Sequence, residues 1–143
     1  MLEIEKRLVE SDFIIADENY ISDGWVLVNK EFLRSKVLLN CKTKDENIMS
    51  HIPYEMGEYI DLTSCGTKCE LYSSERIGII ADENNSVDYN LVKLFLKSFP
   101  FSFIEFTKQD YMGGLLIKAF DEEEKFVGCF CSMLKNDKRG DLC

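Results

Sequence analysis

Positive charge, histidine, proline and long apolar runs are all scarce in this chain. Lys and Arg number 17 against 26 Asp and Glu, so the 143 residues carry a net charge of −9. Taken whole, such a molecule is repelled by phosphate backbones and by anionic lipid. That excludes a simple nucleic-acid binder unless the cations gather on one face. No apolar run approaches the ~20 residues that a bilayer-spanning helix needs, so no membrane partner is expected. The first residues, Met1-Leu2-Glu3-Ile4-Glu5-Lys6-Arg7, are charged from the third position and lack the basic and apolar regions of a signal peptide. The expected location is the cytoplasm, where the six cysteines are reduced thiols. Gly/Ser-rich linkers are missing and there are two prolines, so the expected organisation is one domain over 1–143 with a polar tail at 136–143. A domain of that size buries about 68–70% of its unfolded surface, enough for a core without metal or disulfide.

The same scarcity removes most chemistry. His51 is the single histidine, and no local motif couples it to Cys41 as base to nucleophile. Gly113-Gly114 is followed by no Lys-Ser/Thr and opens no helix, so it is not a phosphate loop. The acidic run at 121–124 lacks the spaced ligands and central glycine of a calcium loop. No catalytic residue and no cofactor are expected. A metal reading exists only as an alternative, in which Cys65, Cys69, Cys129 and Cys131 form a four-thiolate zinc site. Neither pair has Cys-x₂-Cys spacing. In a strand, Cys129 and Cys131 share one face with Phe130 on the other, so plain thiols are the expectation.

What is present is pattern. Residues 25–28, Trp-Val-Leu-Val, read as a buried strand with Trp25 a core aromatic. Residues 30–37 take helical spacing, and 40–56 read as a long polar connection. Residues 59–62 and 70–72 alternate as half-buried strands about a turn at Gly66. Residues 77–81 read as a strand and 82–85 as a turn. A helix runs over 88–99, capped by Ser86 or Asp88 and stopped by Pro100. It carries the apolar stripe Leu91, Val92, Phe95, Leu96 and Phe99. Strands follow at 101–107, 115–120 and 126–133, the last two joined by the acidic hairpin loop 121–124.

One fragment is written twice. Residues 30–35 read KEFLRS and residues 93–98 read KLFLKS, each after a strand-like run. Lys30 and Arg34 are four apart, as are Lys93 and Lys97, and share a helix face in each copy. The first copy sets Lys30, Arg34 and Lys36 against Glu31; the second sets Lys93 and Lys97 against Asp88. Both segments are net positive in an acidic chain. Lys and Arg also fill exposed helix faces simply as good helix formers, so this pattern alone leaves DNA contact and plain solvent exposure both open.

From Val87 onward the order of residue types resembles the closing part of a bacterial DNA sliding clamp domain. Val87-Asp88 opens a helix that closes on Leu96-Lys97-Ser98-Phe99. Leu115-Leu116-Ile117 matches that family's apolar strand, residues 121–124 its acidic turn, and residues 130–135 its final strand. Upstream, Ser22-Asp23-Gly24 is similar to its Thr-Asp-Gly. Ser132 stands where the family has proline, and the tail extends past the usual chain end, so no partner-pocket residues carry over. The resemblance implies an α+β fold: a duplicated strand–helix–strands unit, with an antiparallel sheet bearing two helices on one face. It implies a non-enzymatic binding module serving DNA replication or a related DNA transaction in bacteria or phage, with Lys30, Arg34, Lys36, Lys93 and Lys97 facing DNA. A ring of six such domains would make this chain a homo-oligomer. The competing expectation is an acidic module that binds or inhibits a protein partner.

Overall fold

Strand β9 shows how the molecule is layered. The computed structural model describes residues 1–43, 50–62, 68–71, 73–99 and 104–134. Within them β9 spans Gly114–Phe120. Its Leu115, Ile117 and Ala119 join the main apolar core, while Leu116 and Phe120 join a second cluster on the opposite face. Successive side chains of a strand point to opposite sides, so a strand apolar on both faces must be covered twice. The inner cover is helical; the outer cover is a loop.

The fold is α+β. Seven strands form one antiparallel sheet: β1 (Ile15–Ala16), β2 (Tyr20–Ser22), β3 (Val26–Asn29), β10 (Phe126–Cys131), β9, β8 (Glu105–Tyr111) and β4 (Glu58–Tyr59), in that spatial order. A smaller sheet has the order β11 (Met133–Leu134), β7 (Asn85–Asp88), β6 (Ser73–Ile80) and β5 (Lys68–Leu71). Helices α1 (Glu3–Glu10) and α3 (Tyr89–Ser98) pack side by side against the inner face of the large sheet. The Ser98 hydroxyl accepts the Ile4 amide at 2.9 Å, tying the start of α1 to the end of α3. Among the described residues no helix is long and apolar enough to cross a membrane.

Several expectations hold for local reasons. Asp88 caps α3 by accepting the Asn90 amide at 2.9 Å, and Leu91, Val92, Phe95 and Phe99 are buried on one stripe. Asp82 accepts the Asn84 and Asn85 amides and so builds the turn before β7. Met112 and Gly113 both adopt positive φ between β8 and β9, the geometry of a two-residue hairpin turn matched to sheet twist. Cys129 and Phe130 face opposite ways as alternation requires.

Others need correction. Residues 30–37 are not one helix. A 3-10 turn, Lys30–Phe32, is followed by extended chain and then a single turn of helix, α2 (Lys36–Leu39). The helix packed beside α3 is instead α1, Glu3–Glu10. The segment 126–133 is two strands. Ser132 breaks it, accepting the Leu115 amide and donating to Asn85 Oδ1, and the chain then crosses to the small sheet. Trp25 is 62% exposed: it stands just before β3, past the end of the strand whose Val26 and Val28 take the inner core and Leu27 the outer cluster. Pro100, Phe101, Gly66, Cys65 and the tail lie outside the described residues.

Candidate functional site

The five cations named from sequence do not form one surface. Lys30 is a correction: it is 4% exposed. Its Nζ donates to the carbonyl oxygens of Leu39 at 3.2 Å and Cys41 at 2.7 Å, at the end of α2. Carbonyls left open at a helix end draw a cation, and burial pulls this ammonium below its ordinary pKa. Arg34 and Lys36 are exposed, on the chain that passes the start of α1. Phe32 meets Phe99 edge-on at 6.0 Å, so that chain adjoins the end of α3, where Lys97 is exposed. Lys93 is half-buried with its Nζ 5.1 Å from the Tyr89 ring centroid. Helix α1 lies beside them. It brings Lys6 and Arg7 together with Glu3, Glu5 and Glu10. Lys6 pairs with Glu3 and Arg7 with Asp23. The helix layer is therefore mixed in sign.

A different site assembles around Trp25. Asp23 is buried and builds the turn before β3, its Oδ1 accepting the amides of Trp25 and Val26 at 2.9 Å each. Arg7 of α1 holds the other carboxylate oxygen at 2.8 Å. Gly24 supplies the left-handed φ of +90° that the turn requires. The indole is thus presented by a rigid turn at the end of the large sheet rather than by a free loop. Two hollows flank it and share Gly24, Trp25 and Cys131. One, of about 190 Å³, runs over the outer sheet face past Leu27, Leu116 and Cys129 to Tyr111 and Ile52. The other, of about 180 Å³, reaches Leu91, Met133 and the capping residue Asp88 at the start of α3. Among the described residues no Lys or Arg lines either.

No protein-family model matches the chain, no curated protein does, and no solved structure does. Small-molecule sites run to about 300–1,000 Å³, so each hollow is sized for single side chains. Burial pushes the thiols of Cys129 and Cys131 up; both stay protonated at neutral pH, and a protonated thiol is a poor nucleophile and a poor metal ligand. Of the four-thiolate alternative, Cys65 lies outside the described residues, Cys129 is buried and Cys131 is exposed. Among the described residues no group of three or more His, Cys, Asp or Glu is placed to hold a metal ion. His51 is exposed in a turn.

The groove was not legible in the sequence because its walls come from segments more than a hundred residues apart. One signal pointed to it: Asp-Gly immediately before a tryptophan, a tight turn that can lift a large aromatic off the sheet.

Proposed function

We propose that this chain is a non-enzymatic binding module of clamp-like build, which grips a protein partner in the groove around Trp25. The observation that carries the reading is an exposed indole, on a turn that Asp23 builds and Arg7 holds, between two hollows of side-chain size. Exposed tryptophan in such a setting is the residue type on which interface energy concentrates. Among the described residues the groove lining has an acid, Asp88, and no cation, in a chain of net charge −9. That supports a partner segment with apolar anchors and basic flanks. The clamp-like build suits a role in DNA replication or a related DNA transaction in a bacterial or phage cytoplasm.

Trp25→Ala is the direct test. Most of the indole is in water, so the change leaves stability within about 0.5 kcal/mol. It weakens partner binding by about 2 kcal/mol or more, roughly 30-fold. Affinity capture from bacterial lysate with wild-type and variant bait, read together with thermal melts, checks both. A partner held equally well by the alanine variant would remove the groove from the account.

A second reading has one observation in its favour: Arg34, Lys36 and Lys97 are exposed where the 32–36 segment adjoins the end of α3. It makes this corner a phosphate contact. Reversing Lys93 and Lys97 to Glu together then lowers DNA affinity at low salt by about tenfold and flattens the log–log salt slope by about 2. DNA binding that ignores ionic strength, or none at all, would dispose of it. Light scattering adds a further check, since ring closure by one-domain chains requires the mass of six.

A further inference from the structure

Lys118 is the most deeply buried cation described, at 0% exposure, and the groove makes no direct use of it. It lies on the outer face of β9, between Leu116 and Phe120. Its Nζ donates to the carbonyls of Pro53 at 3.1 Å and of Glu55, and to Gln109 Oε1 at 2.6 Å. Three protons thus meet three neutral acceptors. Two of those acceptors belong to one segment, residues 50–57, which crosses the outer face of the sheet. The rest of that segment is held by packing and by its end. Tyr54 stacks on Tyr20 with ring centroids 4.5 Å apart and meets Phe126 edge-on at 4.9 Å. Gly57 donates to Thr107 Oγ1 at 3.1 Å and lies so close to the Lys108 carbonyl that a Cβ would come within 2.3 Å. Beneath the segment is the second apolar cluster, Leu116, Phe120, Phe126 and Cys129. At its near end Ile52 forms one wall of the groove.

An ammonium is an expensive way to cover an apolar face. A buried cation loses its hydration, and neutral acceptors return only part of it; burial accordingly pulls this group below its ordinary pKa. A methionine or leucine at 118 would continue the apolar row and seal the same face. What the amine adds is directional: it fixes two carbonyls of the overlying segment, those of Pro53 and Glu55 on either side of Tyr54, and with them the position of Ile52.

We propose that Lys118 is a positioning residue for the groove, a latch that holds residues 50–57 down so that Ile52 closes the groove's far wall. Released, the segment lifts. The hollow beside Trp25 then runs into the uncovered row Leu116, Phe120 and Phe126 as one apolar trough. The latched form accepts short anchors of one or two side chains; the released form accepts a longer apolar segment. The inference rests on the groove reading for its biological sense, but the latch has a readout of its own.

That readout is Cys129, 2% exposed beneath the segment, with exposed Cys131 two residues away as internal reference. Alkylation of each thiol at neutral pH is followed by fragment mass spectrometry in wild type, Lys118→Met and Gln109→Leu. The latch predicts a split result for Lys118→Met. Global melting is unchanged or higher, because a desolvated charge has been removed, while Cys129 labelling rises at least tenfold and Cys131 stays within twofold. Gln109→Leu, which removes one acceptor, raises Cys129 labelling about threefold and carries the test alone if the methionine variant does not fold. Cys129 protection equal to wild type in the folded variants overturns the proposal. So does labelling that rises only in proportion to a fall in global stability, since that is unfolding rather than release. Loss of the groove reading would show separately, as a partner indifferent to Trp25→Ala, and would leave the Cys129 result untouched.

Discussion

Gly128→Ala costs this protein about 3 kcal/mol of stability, at the upper end of what overpacking a core ordinarily costs. The reason is space rather than backbone torsion. Gly128 lies in β10, between β3 and β9 in the middle of the large sheet. A Cβ added there would stand 2.5 Å from the Leu27 carbonyl oxygen and 2.7 Å from Cε1 of Phe95. Neither neighbour can retreat. The Leu27 carbonyl belongs to the paired strand β3. Phe95 is fully buried, with Phe130 at 5.6 Å on one side and Phe99 at 6.4 Å on the other. Helix α3 sits as close to the sheet as it does because this one position has no side chain. The expected shift in melting temperature is about 6–12 °C downward for a domain of this size, and valine in place of alanine costs more. Chemical denaturation of the variant checks it; a loss below 1 kcal/mol would mean that the helix is not seated on the sheet as described. The double variant Gly128→Ala with Phe95→Leu supplies the control. Trimming the ring relieves one of the two close contacts, so the two changes together cost less than the sum of the singles. The strand contact remains, so the rescue is partial.

That prediction uses the part of the fold most readable in the sequence. The stripe of α3, its Asp88 cap, the acidic hairpin at 121–124 and the alternation of β9 are all short-range patterns, and short-range patterns survive folding when nothing distant competes. The duplicated fragment shows the opposite. KEFLRS and KLFLKS are alike in residue type, yet only the second is a helix. The second lies within the buried apolar stripe Leu91, Val92, Phe95 and Phe99; the first offers Phe32 and Leu33 and little more. The amides of Arg34 and Ser35, which a helix would bond internally, are taken by Glu5 from twenty-nine and thirty residues away. No window centred on residue 32 contains that carboxylate.

Lys30 and Trp25 fail in the same way, in opposite directions. A lysine on a polar stretch reads as solvent-facing, and here two carbonyls nine and eleven residues later draw it inside. A tryptophan opening an apolar run reads as core, and here the sheet ends beneath it. The groove inherits this difficulty in full, because each wall is ordinary in its own segment. Ile52, Tyr111 and Cys131 become neighbours only once the sheet is assembled. The cationic face argued from the repeat was a local inference about a long-range arrangement, and the burial of Lys30 together with the acids of α1 is what weakens it.

The carboxylate of Glu5 supports the second large expectation: Glu5→Gln loses about 3 kcal/mol at neutral pH, and the loss fades in acid. The side chain is 1% exposed. One oxygen accepts the Leu2 amide at 2.9 Å; the other accepts Arg34 at 2.8 Å and Ser35 at 2.5 Å. A carboxylate can accept from both sides, whereas a glutamine amide cannot, and its NH₂ must face at least one backbone donor. Hydrogen bonds to a charged group are worth about 1.5–3 kcal/mol each, and leaving buried amides unpaired adds to the cost. Burial by itself pushes the Glu5 pKa up, but the three backbone amides together pull it down further, so the net position is below its ordinary 4.5. The native state therefore binds fewer protons than the unfolded chain between the lowered pKa and 4.5. Stability rises with pH across that window. The contribution is complete above the unfolded value and is lost as pH falls through the native one. Wild type and Glu5→Gln should thus differ most near neutrality and converge in acid, because a protonated Glu5, like glutamine, confronts a backbone donor with a donor of its own. Urea unfolding of both proteins from about pH 7 down to about pH 3 gives the comparison. A gap that stays constant across the range would mean that packing, and not the charge on Glu5, joins α1 to the 34–35 segment.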